Sequence, residues 1–175
     1  MTDVHVRPAG LADAAAIAAI YNQGIVERIA TLETEPRIVD QIAGWLGERA
    51  RRYPVVVAER GGAVVAWASV GPYSERACYA GVVEFSIYVE RAARGSGVGE
   101  ATLQRLLEVC EQAGITKLLG KVLVENARSR RLCRKLGFRE VGVHRRHGRL
   151  DGGWRDVVIV ERLLGAALEG LDEAD

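Results

Sequence analysis

Arg94-Gly95-Ser96-Gly97-Val98-Gly99 sets three glycines at alternate positions between a β-branched run and a helical one. Glycines let successive backbone N–H groups point into one concavity. The following helix adds its own unpaired N–H groups and the positive end of its dipole. The chemistry on offer is the holding of a phosphate or pyrophosphate, with Arg94 as an added cation. Two common nucleotide motifs do not fit, because no Gly-Lys-Ser/Thr is present and Gly-x-Gly-x-Gly is not the dinucleotide fingerprint. An ordinary NTP or NAD site is therefore disfavoured. A glycine-rich turn that closes a strand onto a helix is the competing reading, and the loop alone does not choose between them.

Glu84 stands inside the run Val82-Val83-Glu84-Phe85. A carboxylate there is costly unless it faces water, a cleft or a partner, and burial would raise its pKa toward the range of a general base. Strand alternation also permits a solvated face, which residue type alone favours. Arg76, in the loop before this run, has a guanidinium fork able to take a carboxylate bidentately, with Tyr79 close by. A loop arginine is more often a solvated charge. Tyr73, Tyr79 and Trp154 suit a pocket wall or a core equally well. Cys78, Cys110 and Cys133 lack the short paired spacing of a zinc or redox site and read as free thiols of a reducing compartment. His5, His144 and His147 form no ligand set with carboxylates or thiols, so no metal is expected.

The chain that must position these groups has 175 residues, 49% of them hydrophobic and 27% charged. That suits one packed domain, residues 1–165, with an acidic tail over 166–175. Twenty-four basic and twenty-three acidic side chains leave a formal charge of +1, so no global field holds the protein on nucleic acid or an acidic membrane. No apolar run approaches the roughly 18 to 20 residues needed to cross a bilayer, and a cytoplasmic protein is expected.

Ile17, Ile20, Tyr21, Gly24 and Ile25 share one face of a first helix, after a short extended start over 4–7. Thr34-Glu35-Pro36 signals a second, carried by Ile38, Ile42, Trp45 and Leu46. Residues 55–59 and 63–70 read as a hairpin on Arg60-Gly61-Gly62, then come a loop over 71–81 and a strand over 82–89. A helix from Val98 to Ala113-Gly114, a strand over 117–124 and a short helix over 126–136 follow. A hairpin of 138–146 with 154–163 closes the chain. The order βααβββαβαββ predicts an α/β fold with a mixed sheet.

Asn126, Ser129 and Gly137-Phe138, with this order and the glycine loop, resemble the GNAT superfamily of N-acetyltransferases, which use acetyl-CoA. Within it, Ile20-Tyr21-Asn22, Thr31-Leu32-Glu33-Thr34-Glu35-Pro36, Tyr53-Pro54, Arg76-Ala77-Cys78-Tyr79, Glu84 followed by Ile87-Tyr88-Val89, and Gly153-Trp154-Arg155-Asp156 are similar to the phosphinothricin N-acetyltransferases. Residues 27–34 and 147–152 resemble the branch that acetylates arsinothricin, and the likeness covers 4–164.

The resemblance implies the GNAT fold, a mixed, mostly antiparallel central sheet flanked by helices, and acetyl transfer to the α-amino group of a glutamate analogue. It implies that Ile87, Tyr88 and Val89 pair with the pantetheine arm of acetyl-CoA. Arg94, Gly95, Ser96, Gly97, Val98, Gly99 and Glu100 would hold the pyrophosphate, and Asn126 and Ser129 would sit against the pantetheine. An amine is mostly protonated at neutral pH, so the reaction needs a base. The resemblance turns the reading of Glu84 toward that role, acting through water. Arg76 and Tyr79 become candidates for the substrate's anions, Arg28 joins them on the branch likeness alone, and Tyr73 and Trp154 would line the amino-acid pocket. A homodimer is also implied. One position departs from the pattern. Cys133 stands where many relatives carry the Tyr or His that protonates the departing CoA thiolate, and reads here as a small buried residue beside Leu132 and Leu136.

Alternatives within the enzyme class are methionine sulfoximine, methionine sulfone or another small amine as substrate. A non-catalytic acyl-CoA sensor would keep the loop without turnover, and intact Glu84 argues against it. A nucleic-acid module would use Arg128, Arg130, Arg131, Arg134 and Lys135, extended by Arg139, Arg145, Arg146, His147 and Arg149. The near-zero net charge and the lack of interleaved aromatics argue against that, so neither nucleic acid nor membrane is expected as a partner.

Overall fold

Arg7, at the end of strand β1 (His5–Pro8), grips Asp13 through two guanidinium bonds of 2.8 Å. Asp13 also accepts the Gly10 N–H at 2.8 Å, so one buried carboxylate fixes the entry to α1 (Ala14–Glu27). The helix buries Ile17, Ile20, Gly24 and Ile25 as its spacing predicts, and stops where Arg28 turns left-handed at φ 57°. The computed structural model describes residues 3–49 and 52–169.

Helix α2 spans Val39–Arg49, later than Thr34-Glu35-Pro36 predicts. Asn22 of α1 explains the delay: its side chain donates to Arg37 O at 2.9 Å and accepts the Arg37 N–H at 2.8 Å. The helix starts only after that clamp, where Gln41 accepts the Ile38 N–H at 3.1 Å.

Strands β2 (Val55–Arg60), β3 (Ala63–Pro72), β4 (Val82–Val89), β5 (Lys117–Leu123), β6 (Arg139–Leu150) and β7 (Gly153–Leu163) complete a seven-stranded sheet in the order β1-β2-β3-β4-β5-β7-β6. All neighbours are antiparallel except β4 and β5. Helix α3 (Val98–Gln112) links that parallel pair, as a parallel connection requires. Helix α4 (Ala127–Lys135) follows β5. The predicted order and sheet type therefore stand.

Strand β2 shows how the layers form. Val55 and Val57 pack with α1, α2 and Trp67 on one face, while Val56 packs on the other with Leu103, Leu106 and Cys110 of α3. Strand β6 runs four residues past its predicted end, because its register shifts between His144 and Gly148 and so hides the alternation. Asp156 accepts the Arg146 N–H at 2.6 Å within that shift. At the C-terminus a short 3₁₀ turn, Gly165–Leu168, extends into the expected acidic tail, of which residues 170–175 lie outside the described residues.

The parallel pair carries the site. β4 pairs with β5 only from Val82↔Lys117 to Glu84↔Leu119, yet continues along β3 as far as Ala66↔Val89. β5 meanwhile follows β7 to Leu123↔Val157. Beyond Glu84 the two central strands part, and the β5-facing edge of 85–89 keeps its N–H and C=O groups free of strand partners.

Candidate active site

Two cavities open on either side of this parting. The larger, about 830 Å³, is bounded by β4 at Ile87, Tyr88 and Val89, by the glycine loop, by the start of α3, and by Asn126 and Ser129 of α4. Main chain of the glycine loop and charged side chains both line it. Gly95 and Gly97 take φ of 78° and 86°, conformations that favour glycine. The loop ends at Gly97, directly before α3, whose first turn brings its unpaired N–H groups to the same wall.

Side chains brace that wall. Arg94 Nε donates to Val89 O at 3.0 Å, and the Ser96 hydroxyl donates to Ala93 O at 2.6 Å while accepting from Arg60 at 2.7 Å. Ser96 thus ties the loop down and does not line the cavity, and Val98 is fully buried in the core. Only their main chain could serve a ligand there. Asn126 caps α4 by accepting the Ser129 N–H at 3.1 Å, and donates to Ile29 O at 3.2 Å, tying α4 to the segment after α1. Arg128, Arg131 and Lys135 edge the same opening.

Glu27, to which the sequence assigned no role beyond the 27–34 likeness, also lines this cavity. It accepts Arg91 Nε at 2.7 Å and Arg94 Nη1 at 2.8 Å. Burial pushes its carboxyl up, but the two guanidiniums outweigh burial and hold it below the usual carboxylate range.

The smaller cavity, about 470 Å³, lies on the α1–α2 face of the sheet. Trp67, Ser69 and Gly71 of β3 and their partners Tyr88, Ser86 and Glu84 of β4 form its floor. Trp45, Arg37 and Arg49 overhang it. Trp67 stacks on Tyr88 at 4.9 Å between ring centres, and Tyr21 meets Tyr88 edge-on at 4.8 Å. Tyr88 lines both cavities and joins them. Burial raises its hydroxyl pKa, so it keeps its proton.

Glu84 faces this smaller cavity. It is neither buried nor simply solvated: its side chain is 36% exposed and accepts Lys121 Nζ at 2.9 Å. Lys121 stands on β5 two residues past Leu119, on the same sheet face, where the strands begin to part.

The sequence pattern of the acetyltransferase (GNAT) family matches residues 16–138. The chain belongs to the GNAT acetyltransferase family. It is 33% identical over 162 residues to phosphinothricin N-acetyltransferase of Streptomyces viridochromogenes, covering 91% of this chain and 87% of that one. Identity is 34% over 158 residues to the L-methionine sulfoximine/L-methionine sulfone acetyltransferase of Pseudomonas aeruginosa, covering 89% and 92%. The crystal structure of a GNAT superfamily phosphinothricin acetyltransferase from Sinorhizobium meliloti in complex with AcCoA superposes with a TM-score of 0.88 at 32% identity, covering 94% and 90%.

In this GNAT domain the amino-acid candidates read from the sequence stand apart from both cavities. Arg76 is exposed at the head of the 3₁₀ turn Ala77–Tyr79, and Tyr73 and Tyr79 pack edge-on at 5.3 Å in the same exposed loop. Arg28 pairs with Asp151 at 3.1 Å and also donates to Ile25 O. Trp154 is exposed beneath the Arg149 guanidinium at 4.3 Å. Arg37, Arg49 and Lys121 are the cations gathered around Glu84 and its cavity, and the sequence reading singled out none of them. Arg49 carried a usable signal: it lies one helical turn after Trp45, with its guanidinium 5.5 Å from that ring.

Cys133 is fully buried among Leu136, Phe138 and Cys110, and burial pushes its thiol up to about 11. The position at which the resemblance implied a Tyr or His acid is here part of the core.

Proposed function

We propose that the protein is an acetyl-CoA-dependent N-acetyltransferase that acetylates the α-amino group of a glutamate-analogue amino acid, arsinothricin or phosphinothricin, with Glu84 as general base. The observation that carries this reading is the meeting of the two cavities at Tyr88, with Glu84 on the floor of the smaller one. A slot with a glycine-loop wall and basic side chains, joined at one side chain to a smaller charged pocket, suits a transfer between a nucleotide-bearing donor and a small zwitterion.

The larger cavity fits acetyl-CoA on the structure's own terms. The free edge of β4 offers amide groups to a pantetheine arm, Gly95 and Gly97 with the start of α3 offer N–H groups to a pyrophosphate, and Arg128 and Arg131 offer charge to a further phosphate, while Lys135 is paired with Glu100. When bound, acetyl-CoA supplies the activated acetyl thioester. Glu84 takes the proton that the substrate ammonium must lose before its nitrogen can attack, directly or through water. The free main-chain groups of 87–89 polarise the carbonyl under attack. The C–S bond breaks as the C–N bond forms, so a proton that Glu84 takes from nitrogen balances the departing CoA thiolate, while Tyr88 keeps its own proton and Cys133 stays out of the chemistry.

Acetylation would cancel the positive charge by which such compounds imitate glutamate, which is how direct transfer would confer resistance. Unbridged Cys78, Cys110 and Cys133 support a cytoplasmic enzyme. The exposed sheet-edge strand β6, with Val141 and Val143 bare, supports a homodimer. Methionine sulfoximine or methionine sulfone is the second reading, supported by the 34% identical relative named for both.

The test is release of CoA thiol from acetyl-CoA with arsinothricin, phosphinothricin, methionine sulfoximine and glutamate offered in parallel. Rapid release with the arsenic or phosphorus compound and little with glutamate is expected. No release with any, in protein that binds acetyl-CoA, would overturn the substrate assignment.

A further inference from the structure

Of the two arginines in the smaller cavity, Arg37 is paired with Glu33 at 2.7 Å. Arg49 is half-buried and makes no direct ion pair among the described residues, with Trp45 beside its guanidinium at 5.5 Å. The guanidinium's one hydrogen bond among the described residues is Nη1 to Val70 O, 2.7 Å. A half-buried guanidinium without a direct ion pair keeps its other N–H donors available to an incoming anion.

Its location is specific. Gly71 lies directly across the strand pair from Glu84, and a methyl group at Gly71 would overlap the Arg49 guanidinium, with Cζ only 2.8 Å from the added carbon. Arg49 therefore reaches the sheet at the register of Glu84. On the β5 side of Glu84, Lys121 sits at 2.9 Å from Oε2. The carboxylate is flanked by a cation on each side.

An amino acid with an acidic side chain presents the complementary order, an ammonium between two anions. We propose that Arg49 and Lys121 bind the two anionic groups of such a diacidic amino acid while its ammonium meets Glu84. This deepens the N-acetyltransferase reading and rests on it. In the free protein the Lys121 ammonium occupies Glu84. A substrate ammonium that takes its place leaves two cations on one carboxylate, which is unfavourable unless an anion accompanies them. An acidic side chain supplies that anion to Lys121. A neutral side chain does not. Arg49, fixed by Val70 and presenting a planar fork, suits the α-carboxylate common to all amino acids, whereas the compact, flexible and half-exposed Lys121 suits the variable side-chain acid.

The experiment measures kcat and KM at saturating acetyl-CoA for phosphinothricin and for methionine sulfone, whose side chain is neutral. Acetyl-CoA affinity serves as the folding control, since it reads the other cavity. Lys121→Met is expected to raise KM for phosphinothricin about tenfold or more while leaving methionine sulfone within about threefold, and Lys121→Arg to restore the acidic substrate. Arg49→Met is expected to raise both KM values. Equal shifts of the two substrates in Lys121→Met would overturn the assignment of Lys121, and loss of acetyl-CoA binding in Arg49→Met would overturn that of Arg49 by showing that its bond to Val70 carries the fold. Wild-type protein that binds acetyl-CoA but turns over neither compound would overturn the N-acetyltransferase reading, and this inference with it.

Discussion

The two cavities that meet at Tyr88 are built from different materials. The larger takes one wall from main chain, a strand edge released when β4 leaves β5, two left-handed glycines and the first turn of α3, with charged side chains such as Arg94, Arg128 and Arg131 around it. The smaller is a side-chain construction, in which Trp45 and Arg49 of α2, Arg37 before it, Trp67 of β3 and Glu84 of β4 converge from segments far apart in the chain. Main-chain donors serve any ligand with the right phosphate geometry, and so suit a donor molecule common to many reactions. Side-chain charges must match one substrate. The difference teaches where specificity resides: a change in the larger cavity should move binding of the common donor, and a change in the smaller one the choice of amino acid.

The sharpest test of this division removes the base. Glu84→Gln keeps size and polarity, and is expected to lower kcat roughly 10²- to 10⁴-fold while leaving acetyl-CoA affinity unchanged. Unchanged turnover would end the assignment. A smaller but cleaner effect is expected at Gly71. The added methyl of Gly71→Ala displaces the Arg49 guanidinium, so KM for the amino acid should rise about tenfold, the scale of one lost charged hydrogen bond, with acetyl-CoA affinity again untouched. A fall in acetyl-CoA affinity of the same size would erase the distinction between the cavities.

The mirror-image change is Gly97→Ala. At φ 86° a side chain costs about 1–2 kcal/mol, which should appear as a lower melting temperature and up to about tenfold weaker acetyl-CoA binding. KM for the amino acid, measured at saturating acetyl-CoA, should stay constant. Movement of that KM would mean that the glycine loop also shapes the amino-acid pocket.

The same division explains what the sequence disclosed. A main-chain site leaves a local trace, since glycines needed for left-handed turns and a helix start must be consecutive in the chain, and Arg94 to Gly99 could be read directly. Element order and sheet type were legible for the same reason, because alternation and helical spacing are short-range. Where tertiary bonds overrode local signals, the sequence misled: the Asn22 clamp on Arg37 moves the start of α2 past Pro36, and the register shift in β6 masks its length. The smaller cavity was the least legible. Glu84 stood out as a charge in an apolar run, but nothing local marks Lys121 as its partner or Arg49 as its neighbour across Gly71. Those relations exist only once β3, β4 and β5 lie side by side, while Arg28, Arg76 and Trp154, conspicuous by likeness, lie outside the two cavities.

The smallest effect is expected where a side chain intrudes on the main-chain site. Glu27 holds Arg94, the cation best placed to serve a pyrophosphate in the larger cavity. Glu27→Gln removes that competing charge, while the loop keeps its bonds from Arg94 to Val89 and from Ser96 to Ala93. Acetyl-CoA should therefore bind about two- to threefold more tightly, within the modest range of partly exposed ion pairs. Acidification reads the same pair independently. Because the two guanidiniums hold the folded-state pKa of Glu27 below its unfolded value of about 4.3, its contribution to stability is complete above that pH. The contribution is lost as pH falls through the lower, folded-state value. The melting temperature of the parent protein should thus fall more than that of Glu27→Gln between about pH 5 and pH 3, and coincide in slope with it above pH 6. Parallel slopes throughout would show that Arg91 and Arg94 do not hold this carboxylate in solution. In that case Arg94 stands free in the larger cavity, and the side chains contribute more to that site than its glycine-built wall suggests.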